Sequence, residues 1–348
     1  MEPAYIPPVP GDVVKYLKQD SPFRKRHGTI RAFIAERDGE SIGRIAAIAN
    51  RSHNNYYGDR VGFFGFFDCE NNPETSRALF AEAEKFLKGE GLTHVRGPYN
   101  PSINEECGLL VDSFEFPAFV GMPWNPPYYE KLILDVGFQV VRKLYAYLLS
   151  IAVPMPPRVE RITHRISQRG GWKFRSINLR KLKEELTIIH RLYNLTLDRN
   201  WGFVPIALED LQATAQGLQL IADPQIINFA EKNDEPIGFA VSFPNINDLL
   251  AKTKKTPAGF LRLLHLFWLI KTQRPKRLRL AILGVIPSYR ARGVDAWLFY
   301  EQLARAKKMG YETAELSWIE ESNLEIIRSI EVMGGEKYRT YHLYEKLL

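Results

Sequence analysis

The length, composition and charge of the chain point to a globular protein with two domains. Its 348 residues exceed the usual size of one domain, and a hydrophobic fraction of 45% is ordinary for a globular protein and sufficient for two cores. The formal net charge of +7 suits an anionic ligand or surface, but these totals suggest a charge too diffuse to identify a nucleic-acid-binding protein.

The cysteines and the apolar segments exclude several classes of protein. Cys69 and Cys107 are the only two cysteines, which argues against a disulfide framework and favours a reducing, cytoplasmic location. The first residues, MEPAYIPPVPGD, lack the basic and apolar regions of a signal peptide. The most apolar window, 258–270, contains Arg262 and His265 and is too short to span a bilayer. We therefore expect a soluble protein without a transmembrane segment, and the histidine spacing predicts no metal site.

The first predicted elements form a hairpin that recurs later in the chain. The segment 33–48, FIAERDGESIGRIAAI, resembles the segment 228–243, NFAEKNDEPIGFAVSF. Both patterns predict two strands around a tight polar turn, DGE in the first and NDE in the second. Glu36, Ile42 and Gly43 each have an identical residue in the second segment, and the separation along the chain is the same for all three pairs. We interpret the two hairpins as the start of an internal repeat.

Two further matches follow the hairpins in the same order. ALFAEAEKFLKGEGLTHV resembles WLFYEQLARAKKMGYETA, and YYEKLILDVGFQ resembles IRSIEVMGGEKY. An insertion in each half explains the changing separation between the matches. The sequence therefore predicts two domains, 1–150 and 166–348, joined by a Pro-rich linker, 151–165, whose prolines break regular structure. The second domain carries a helical insertion near 248–278, and the first carries an aromatic-rich insertion.

The loop SYRARG in the second half has the composition of an anion site. It follows a strand that ends at Pro287 and precedes an amphipathic helix. Backbone N–H groups at a helix N-terminus attract anions. Gly293 allows a ligand to approach the backbone, and Arg290 and Arg292 add positive charge. The equivalent place in the first half, GFFDCENNPETSRALF, is acidic and would repel a phosphate group.

This strand, loop and helix resemble the pyrophosphate-binding signature of the GCN5-related N-acetyltransferase (GNAT) superfamily. In that signature Gln or Arg is followed by two residues, Gly, one further residue, and Gly or Ala. Arg290 and Gly293 fit it, whereas Asp295 takes the last position and Ala296 follows. The stretches ETAELSW, NLEIIRSIEVMGG and KYRTYHLYEKLL resemble the next strand, helix and strand of the family. The resemblance covers 172–348 and, more faintly, the N-terminal half.

The resemblance implies an α/β fold of two tandem GNAT-like domains, each a mixed β-sheet flanked by helices. The N-terminal copy is interpreted as degenerate because it lacks the phosphate loop. The implied activity is transfer of an acetyl or other acyl group from acetyl-CoA or another acyl-CoA to an amine, without a metal. The implied CoA-binding residues are Gly284, Val285, Arg290, Ala291, Arg292, Gly293, Val294, Asp295, Ala296 and Asn323. A backbone N–H near Gly284 or Val285 would polarise the thioester carbonyl, and for Asn323 we favour a helix N-cap over a CoA contact.

Candidate catalytic groups lie on the strand after the loop and on the last strand. The resemblance places the acceptor beside AELSW, so Glu315 is the predicted general base; the alternative is a surface carboxylate paired with a lysine. Alternation puts Glu315 and Ser317 on one face of that strand. The family often has a tyrosine as general acid where this chain has Ile330. Tyr338, Tyr341 or water would then return the proton.

The segment 97–129 is rich in aromatic residues, prolines and asparagines. A long loop of this kind is usually functional or packed against a neighbour. It is predicted either to form a lid or acceptor pocket or to pack the two halves together. In the first interpretation, the pocket is lined by Asp112, Glu115, Tyr128 and Tyr129.

The insertion near 248–278 predicts an apolar helix between two basic flanks. Such a helix suits a membrane surface or the 3′-phosphate of CoA. It also suits a helix buried against the N-terminal half with solvated ends, which is the interpretation we favour.

We therefore expect an acyl-CoA-dependent N-acyltransferase acting on a small-molecule or peptide amine. One alternative is a Fem-type transferase that uses aminoacyl-tRNA; nucleic acid is otherwise not an expected partner. The other alternative is a non-catalytic GNAT-like binding protein, which Ile330 and Asp295 favour. The sequence predicts no particular oligomeric state.

Overall fold

The computed structural model describes residues 4–8, 11, 13–168, 170–218, 222–257 and 259–348. They divide into two compact units. Unit 1 takes in the chain up to Leu144 together with Arg339–Leu348, and unit 2 is Tyr145–Tyr338. These bounds differ from the predicted domains, because the last strand of each half of the chain is divided between the two units.

Unit 1 contains a five-stranded mixed sheet with helices packed on it. The sheet has the order β1-β2-β3-β4-β14, with the short strand β7 also paired to β14. Strands β3 and β4 are parallel, and the other pairs of this sheet are antiparallel. The elements up to the unit boundary inside β8 are α1 Val14–Leu17, α2 Pro22–Arg26, β1 Gly28–Arg37, β2 Glu40–Asn50, α3 Arg51–Tyr57, β3 Val61–Cys69, α4 Pro73–Gly89, β4 His94–Gly97, β5 Tyr99–Asn100, β6 Glu106–Cys107, β7 Leu109–Leu110, α5 Tyr129–Leu134 and β8 Gln139–Ser150.

Unit 2 contains a six-stranded mixed sheet between helices. Its order is β8-β13-β12-β11-β10-β9, with β12 and β13 parallel and the pairs from β9 to β12 antiparallel. The elements after β8 are α6 Pro157–Ser167, β9 Trp172–Ser176, α7 Leu182–Thr196, α8 Leu208–Leu218, β10 Ile227–Lys232, β11 Glu235–Pro244, α9 Asn247–Lys252, α10 Phe260–Thr272, β12 Arg277–Val285, α11 Val294–Lys308, β13 Thr313–Glu320, α12 Leu324–Val332 and β14 Glu336–Leu347, whose end belongs to unit 1.

Two cores cover the two faces of the unit 2 sheet. Helix α11 contributes Trp297 and Leu298 to the core on one face. Helix α7 contributes Leu186, Ile189 and Leu192 to the core on the other, and their spacing puts them on one side of the helix. Burial of each such side chain stabilises the unit by about 2 kcal/mol.

The two predicted hairpins, β1–β2 and β10–β11, agree in detail. A bulge follows Ala35 in the first and Ala230 in the second. The turn residues Asp38–Gly39 and Asn233–Asp234 all have positive φ, as two-residue hairpin turns require. Bulge and turn therefore recur at equivalent places in the two halves of the sequence.

We predicted that prolines keep the segment 151–165 from forming regular structure, but its second part is helical. Helix α6 begins at Pro157, directly after Pro156. A proline at the first helical position costs no hydrogen bond, because the N–H groups of the first turn have no partner within the helix. The prolines therefore start a helix rather than prevent one.

The apolar helix of the insertion forms as α10, but the prediction that it is buried was wrong. Most of its large apolar side chains are exposed, whereas Arg262, Leu266 and Leu269 are buried. The predicted insertion also includes Ala258, which lies outside the described residues. Among the helices in the described part of the chain, none has the length and apolar character needed to cross a membrane.

Candidate active site

The parallel strands β12 and β13 of unit 2 separate part of the way along their length. Their pairing ends at Leu280 and Leu316. Beyond this point β12 continues to Val285 and β13 to Glu320. An edge of β12 is therefore left without β13 as its neighbour.

A bulge in β12 lies at the point of separation. Leu280 pairs with Ser242 and Ile282 pairs with Val241, so Ala281 is an extra residue in β12. A bulge bends its strand and increases the local twist. The bend accounts for the divergence of β12 from β13.

The end of β12 directs backbone polar groups toward the open edge. The Ile286 N–H donates to the Ile237 carbonyl on β11, at 2.9 Å. Alternation directs the N–H of Gly284 the same way and the N–H and carbonyl of Val285 the opposite way. The Arg290 Nε donates to this Val285 carbonyl at 3.2 Å. Of the two predicted donors for a thioester carbonyl, Val285 therefore has the suitable direction.

A cluster of polar side chains lies beside the point where the strands separate. Glu315 is fully buried, and its Oε1 accepts a hydrogen bond of 2.6 Å from the Ser317 hydroxyl. Its other carboxylate oxygen accepts a hydrogen bond from the Tyr338 hydroxyl. Arg279, which pairs with Glu315 across the strands, donates from Nε to the Ser317 hydroxyl at 2.9 Å. The cluster is a buried carboxylate that accepts hydrogen bonds from two hydroxyl groups.

The structure brings together two of the three predicted catalytic residues. Glu315 and Tyr338 are in contact within unit 2. Tyr341 is fully buried in unit 1, where its backbone pairs with Leu110, and it lies three residues beyond Tyr338, on the opposite face of β14. Ile330, on α12, is buried in the core to which α11 also contributes.

The two arginines of the SYRARG loop have different environments. Besides the Val285 carbonyl, the Arg290 guanidinium donates to the Thr196 carbonyl at the end of α7, at 3.0 Å. Arg290 therefore holds the loop to α7 and β12. Arg292 is exposed, and its guanidinium lies 5.3 Å from the centre of the Tyr289 ring. Of these two arginines, Arg292 is the one that faces solvent.

Gly293 directly precedes α11 and has a left-handed φ of 79°, and Ala291, two residues earlier, has a φ of 56°. A Cβ on Gly293 would lie 2.7 Å from the Ile162 Cγ2 of α6. The glycine is therefore required by backbone conformation and by the packing of α6. The first helical residue, Val294, is fully buried, while Asp295 and Ala296 are half-buried.

Asn323 has the capping role that the sequence favours. Its Oδ1 accepts a hydrogen bond of 3.4 Å from the Ile326 N–H in the first turn of α12. This bond satisfies a backbone donor that has no partner within the helix.

Sequence reasoning missed Thr196, which packs against Gly284. A Cβ on Gly284 would lie 2.2 Å from the Thr196 Oγ1. Thr196 is buried, and within the described part of the chain its hydroxyl has no hydrogen-bond partner. A buried hydroxyl without a partner beside the end of β12 is a candidate to bind a ligand. A single threonine in an amphipathic helix carries no sequence signal for such a role.

The four predicted acceptor-pocket residues lie in unit 1 and form two separate groups. Asp112 accepts a hydrogen bond of 2.7 Å from the Thr340 N–H, and Glu115 is exposed. Tyr128 donates to the Cys69 carbonyl at 2.9 Å, and the Cys69 N–H donates to the Tyr129 hydroxyl oxygen at 3.0 Å. Both tyrosines thus bind the end of β3.

The corresponding opening in unit 1 is occupied by the chain itself. Strand β3 leaves β4 after Phe63, and β5 lies against it there. A Cβ on Gly65 would lie 1.7 Å from the Tyr99 carbonyl oxygen, and the Phe66 N–H donates to the Asn100 side chain at 2.6 Å.

Glu70 lies at the N-terminus of α4, the place that corresponds to the SYRARG loop. Hydrogen bonds from Thr75 and Arg37 hold the pKa of Glu70 below its ordinary value. The negative charge at this helix terminus is therefore supplied by the protein itself.

Comparisons with known proteins identify two relatives that match most of this chain. The sequence matches no protein-family model. It is 31% identical over 329 residues to a protein of Caulobacter vibrioides named bacterial ceramide synthase, covering 92% of this chain and 85% of that protein. It is 30% identical over 355 residues to protein YghO of Escherichia coli, covering 99% of this chain and 89% of that protein.

Solved structures share the fold at low sequence identity. A tandem GNAT protein of clavulanic acid biosynthesis aligns with a TM-score of 0.58 at 12% identity, covering 100% of this chain and 90% of that chain. A GCN5-related N-acetyltransferase of Sphaerobacter thermophilus aligns with a TM-score of 0.54 at 14% identity, covering 91% and 80% of the two chains. The predicted GNAT fold is confirmed.

Proposed function

Because the chain belongs to the family that includes the bacterial ceramide synthase and protein YghO, we propose that it is an acyl-CoA-dependent N-acyltransferase that acts on a long-chain amino alcohol. Its product would be a ceramide-type amide. The observation that carries the proposal is the Glu315–Tyr338 pair beside the open edge of β12, both within unit 2. A paired acid and hydroxyl next to free backbone donors suits amide formation.

The residues around the open edge fit an acyl-CoA, which would supply an activated acyl thioester. The Val285 N–H is directed at the position of a carbonyl oxygen, and the Thr196 hydroxyl is a second donor close to Gly284. The N-terminus of α11 and the exposed Arg292 suit the pyrophosphate. Arg290 holds the loop of this site in place, since its guanidinium donates hydrogen bonds to two backbone carbonyls.

The burial of Glu315 determines how it would act as a base. Its carboxylate is fully buried, whereas Tyr338 is half-buried and donates to it. We infer that the Tyr338 oxygen accepts the proton of the amine while its own proton passes to Glu315. The reverse transfer would return a proton to the leaving thiolate. Ser317 and Arg279 position the carboxylate during both transfers.

Unit 1 is proposed to be a degenerate copy that binds no acyl-CoA, which makes the chain a tandem duplication. The matching bulges and turns of the two hairpins support the duplication. The occupied opening at Gly65 and the acidic group at the start of α4 support the loss of binding.

The two loop arginines are expected to respond differently to substitution. Arg292→Ala should weaken CoA binding by roughly tenfold, because it removes an exposed charge near the pyrophosphate, and should leave the melting temperature unchanged. Arg290→Ala should instead lower the melting temperature, since it frees two carbonyls. Calorimetric titration with CoA and thermal melts of both variants test this. Equal effects of the two substitutions on binding and stability would contradict it.

The proposed reaction is tested with the purified chain, a long-chain acyl-CoA and a long-chain amino alcohol. We expect release of free CoA thiol together with an N-acyl product of the summed mass. The corresponding long-chain alcohol without an amine is the control and should give no product. No CoA binding at millimolar concentration, or amide formation only with an aminoacyl-tRNA, would overturn the proposal.

A further inference from the structure

Helix α10 has its apolar side chains on the outside. Its exposed apolar residues are Phe260, Leu261, Leu263, Leu264, Phe267 and Trp268, each between 40% and 71% exposed. This spacing forms one continuous stripe along the helix. The usual arrangement buries such a stripe in the core of the protein.

Polar residues fix the opposite face of α10 to the preceding segment. Arg262 is buried, and its Nε donates to the buried Thr253 hydroxyl at 3.0 Å. His265 Nδ1 lies 2.7 Å from the Thr256 hydroxyl oxygen. These contacts hold α10 in an orientation that directs its apolar stripe outward.

The net positive charge of the chain is concentrated around this helix, rather than diffuse as expected from the totals. Between Asn245 and Arg277 the sequence has eight Lys or Arg residues and one Asp, which equals the net charge of +7 for the whole chain. The exposed basic residues at the two ends of the stripe are Lys252, Lys254, Lys255, Lys271, Arg274 and Lys276.

We propose that α10 docks the protein on the surface of an anionic lipid bilayer, with the apolar stripe among the acyl chains and the basic residues at the headgroups. The helix has 13 residues, so its length of about 20 Å suits an orientation in the plane of the interface. Trp268 and the flanking lysines are the residue types that anchor at this depth. The charge at both ends of the stripe favours a lipid surface over a second copy of this chain, because two like-charged segments would repel each other.

The proposal is tested by sedimentation of the full chain with vesicles. Wild-type protein should bind vesicles of equal parts phosphatidylcholine and phosphatidylglycerol, and bind pure phosphatidylcholine more weakly. Phe260→Ser with Phe267→Ser should reduce binding roughly tenfold or more, because it removes apolar area from the stripe. Both rings are exposed, so the two substitutions leave the core unchanged. Phe116→Ser, which alters an exposed ring of unit 1, should bind as wild type does.

A charge variant separates lipid attraction from general apolar adhesion. Lys254→Gln with Lys255→Gln should weaken binding to the anionic vesicles about thirtyfold and leave binding to pure phosphatidylcholine unchanged. Lys85→Gln with Lys88→Gln on α4 is the matched control and should have little effect. Circular dichroism of each variant verifies that it is folded.

Two outcomes would overturn the docking proposal. One is equal vesicle binding by wild type and by the double serine variant. The other is a wild-type dimer in solution that the double serine variant converts to a monomer, with no vesicle binding by either. The measurement does not depend on catalysis, so failure of the proposed reaction leaves its result unaffected.

Discussion

Replacement of Glu315 by glutamine should lower kcat for amide formation about 10³-fold with little change in KM for the acyl-CoA. Glutamine keeps the size of the side chain; its amide oxygen can accept from one of the Tyr338 and Ser317 hydroxyl groups and its NH2 group can donate to the other, so the fold should be maintained. It is not a base for the proton that Tyr338 is proposed to pass on. Steady-state kinetics with detection of released thiol and of the amide product measure both constants.

Two companion variants determine whether this loss reports on the proton path. Glu312→Gln is the matched control, because this carboxylate is exposed near the start of β13 and pairs with Lys276 on the surface. It should retain full activity. Tyr338→Phe should lose activity to a similar extent as Glu315→Gln, and the double variant should lose little more, since the two groups act as one unit. Full additivity of the two losses would contradict the shared proton path, and an active Glu315→Gln enzyme would remove Glu315 from the mechanism.

The elements that the sequence predicts best are those set by neighbouring residues. The turns DGE and NDE contain the residue types that tolerate positive φ, so both hairpins were predicted from local chemistry. The strand, loop and helix around Gly293 were predicted from the same kind of signal. The division of β8 and β14 between the units was not, because pairing between strands far apart in sequence leaves no local pattern.

The candidate site was predicted only in part, because its contacts also join residues that are far apart in the sequence. Glu315 and Tyr338 were both candidates from the sequence, but their contact joins two strands and was not foreseen. The position of Arg290 in the loop was correct, whereas its partners depend on α7, which precedes it by more than ninety residues. The outward orientation of α10 was missed since its sequence is apolar on most sides, and only the buried Arg262 shows which side faces inward.

Replacement of Arg339 by methionine should destabilise unit 1 by about 3 kcal/mol. The arginine is fully buried, and its guanidinium donates to the carbonyls of Ser113 and Pro117 at 3.2 and 3.4 Å and to that of Phe116. Methionine fills most of the volume but leaves three carbonyls without these donors, each costing about 1 kcal/mol or more. Denaturant unfolding followed by near-ultraviolet circular dichroism measures the change.

The site of the destabilisation should be the aromatic-rich loop, because Arg339 holds its middle to β14. Limited proteolysis of the methionine variant should therefore cleave first between residues 111 and 125. Arg77→Met, at an exposed position of α4 in the same unit, is the matched control and should change stability by no more than about 0.5 kcal/mol. If both variants unfold at the same denaturant concentration as wild type, the loop is held by its other contacts, such as the Asn125 side chain with the Leu110 backbone at 2.8 and 3.0 Å. A loop fixed in this way is part of the core of unit 1, which argues against the lid that its composition suggested.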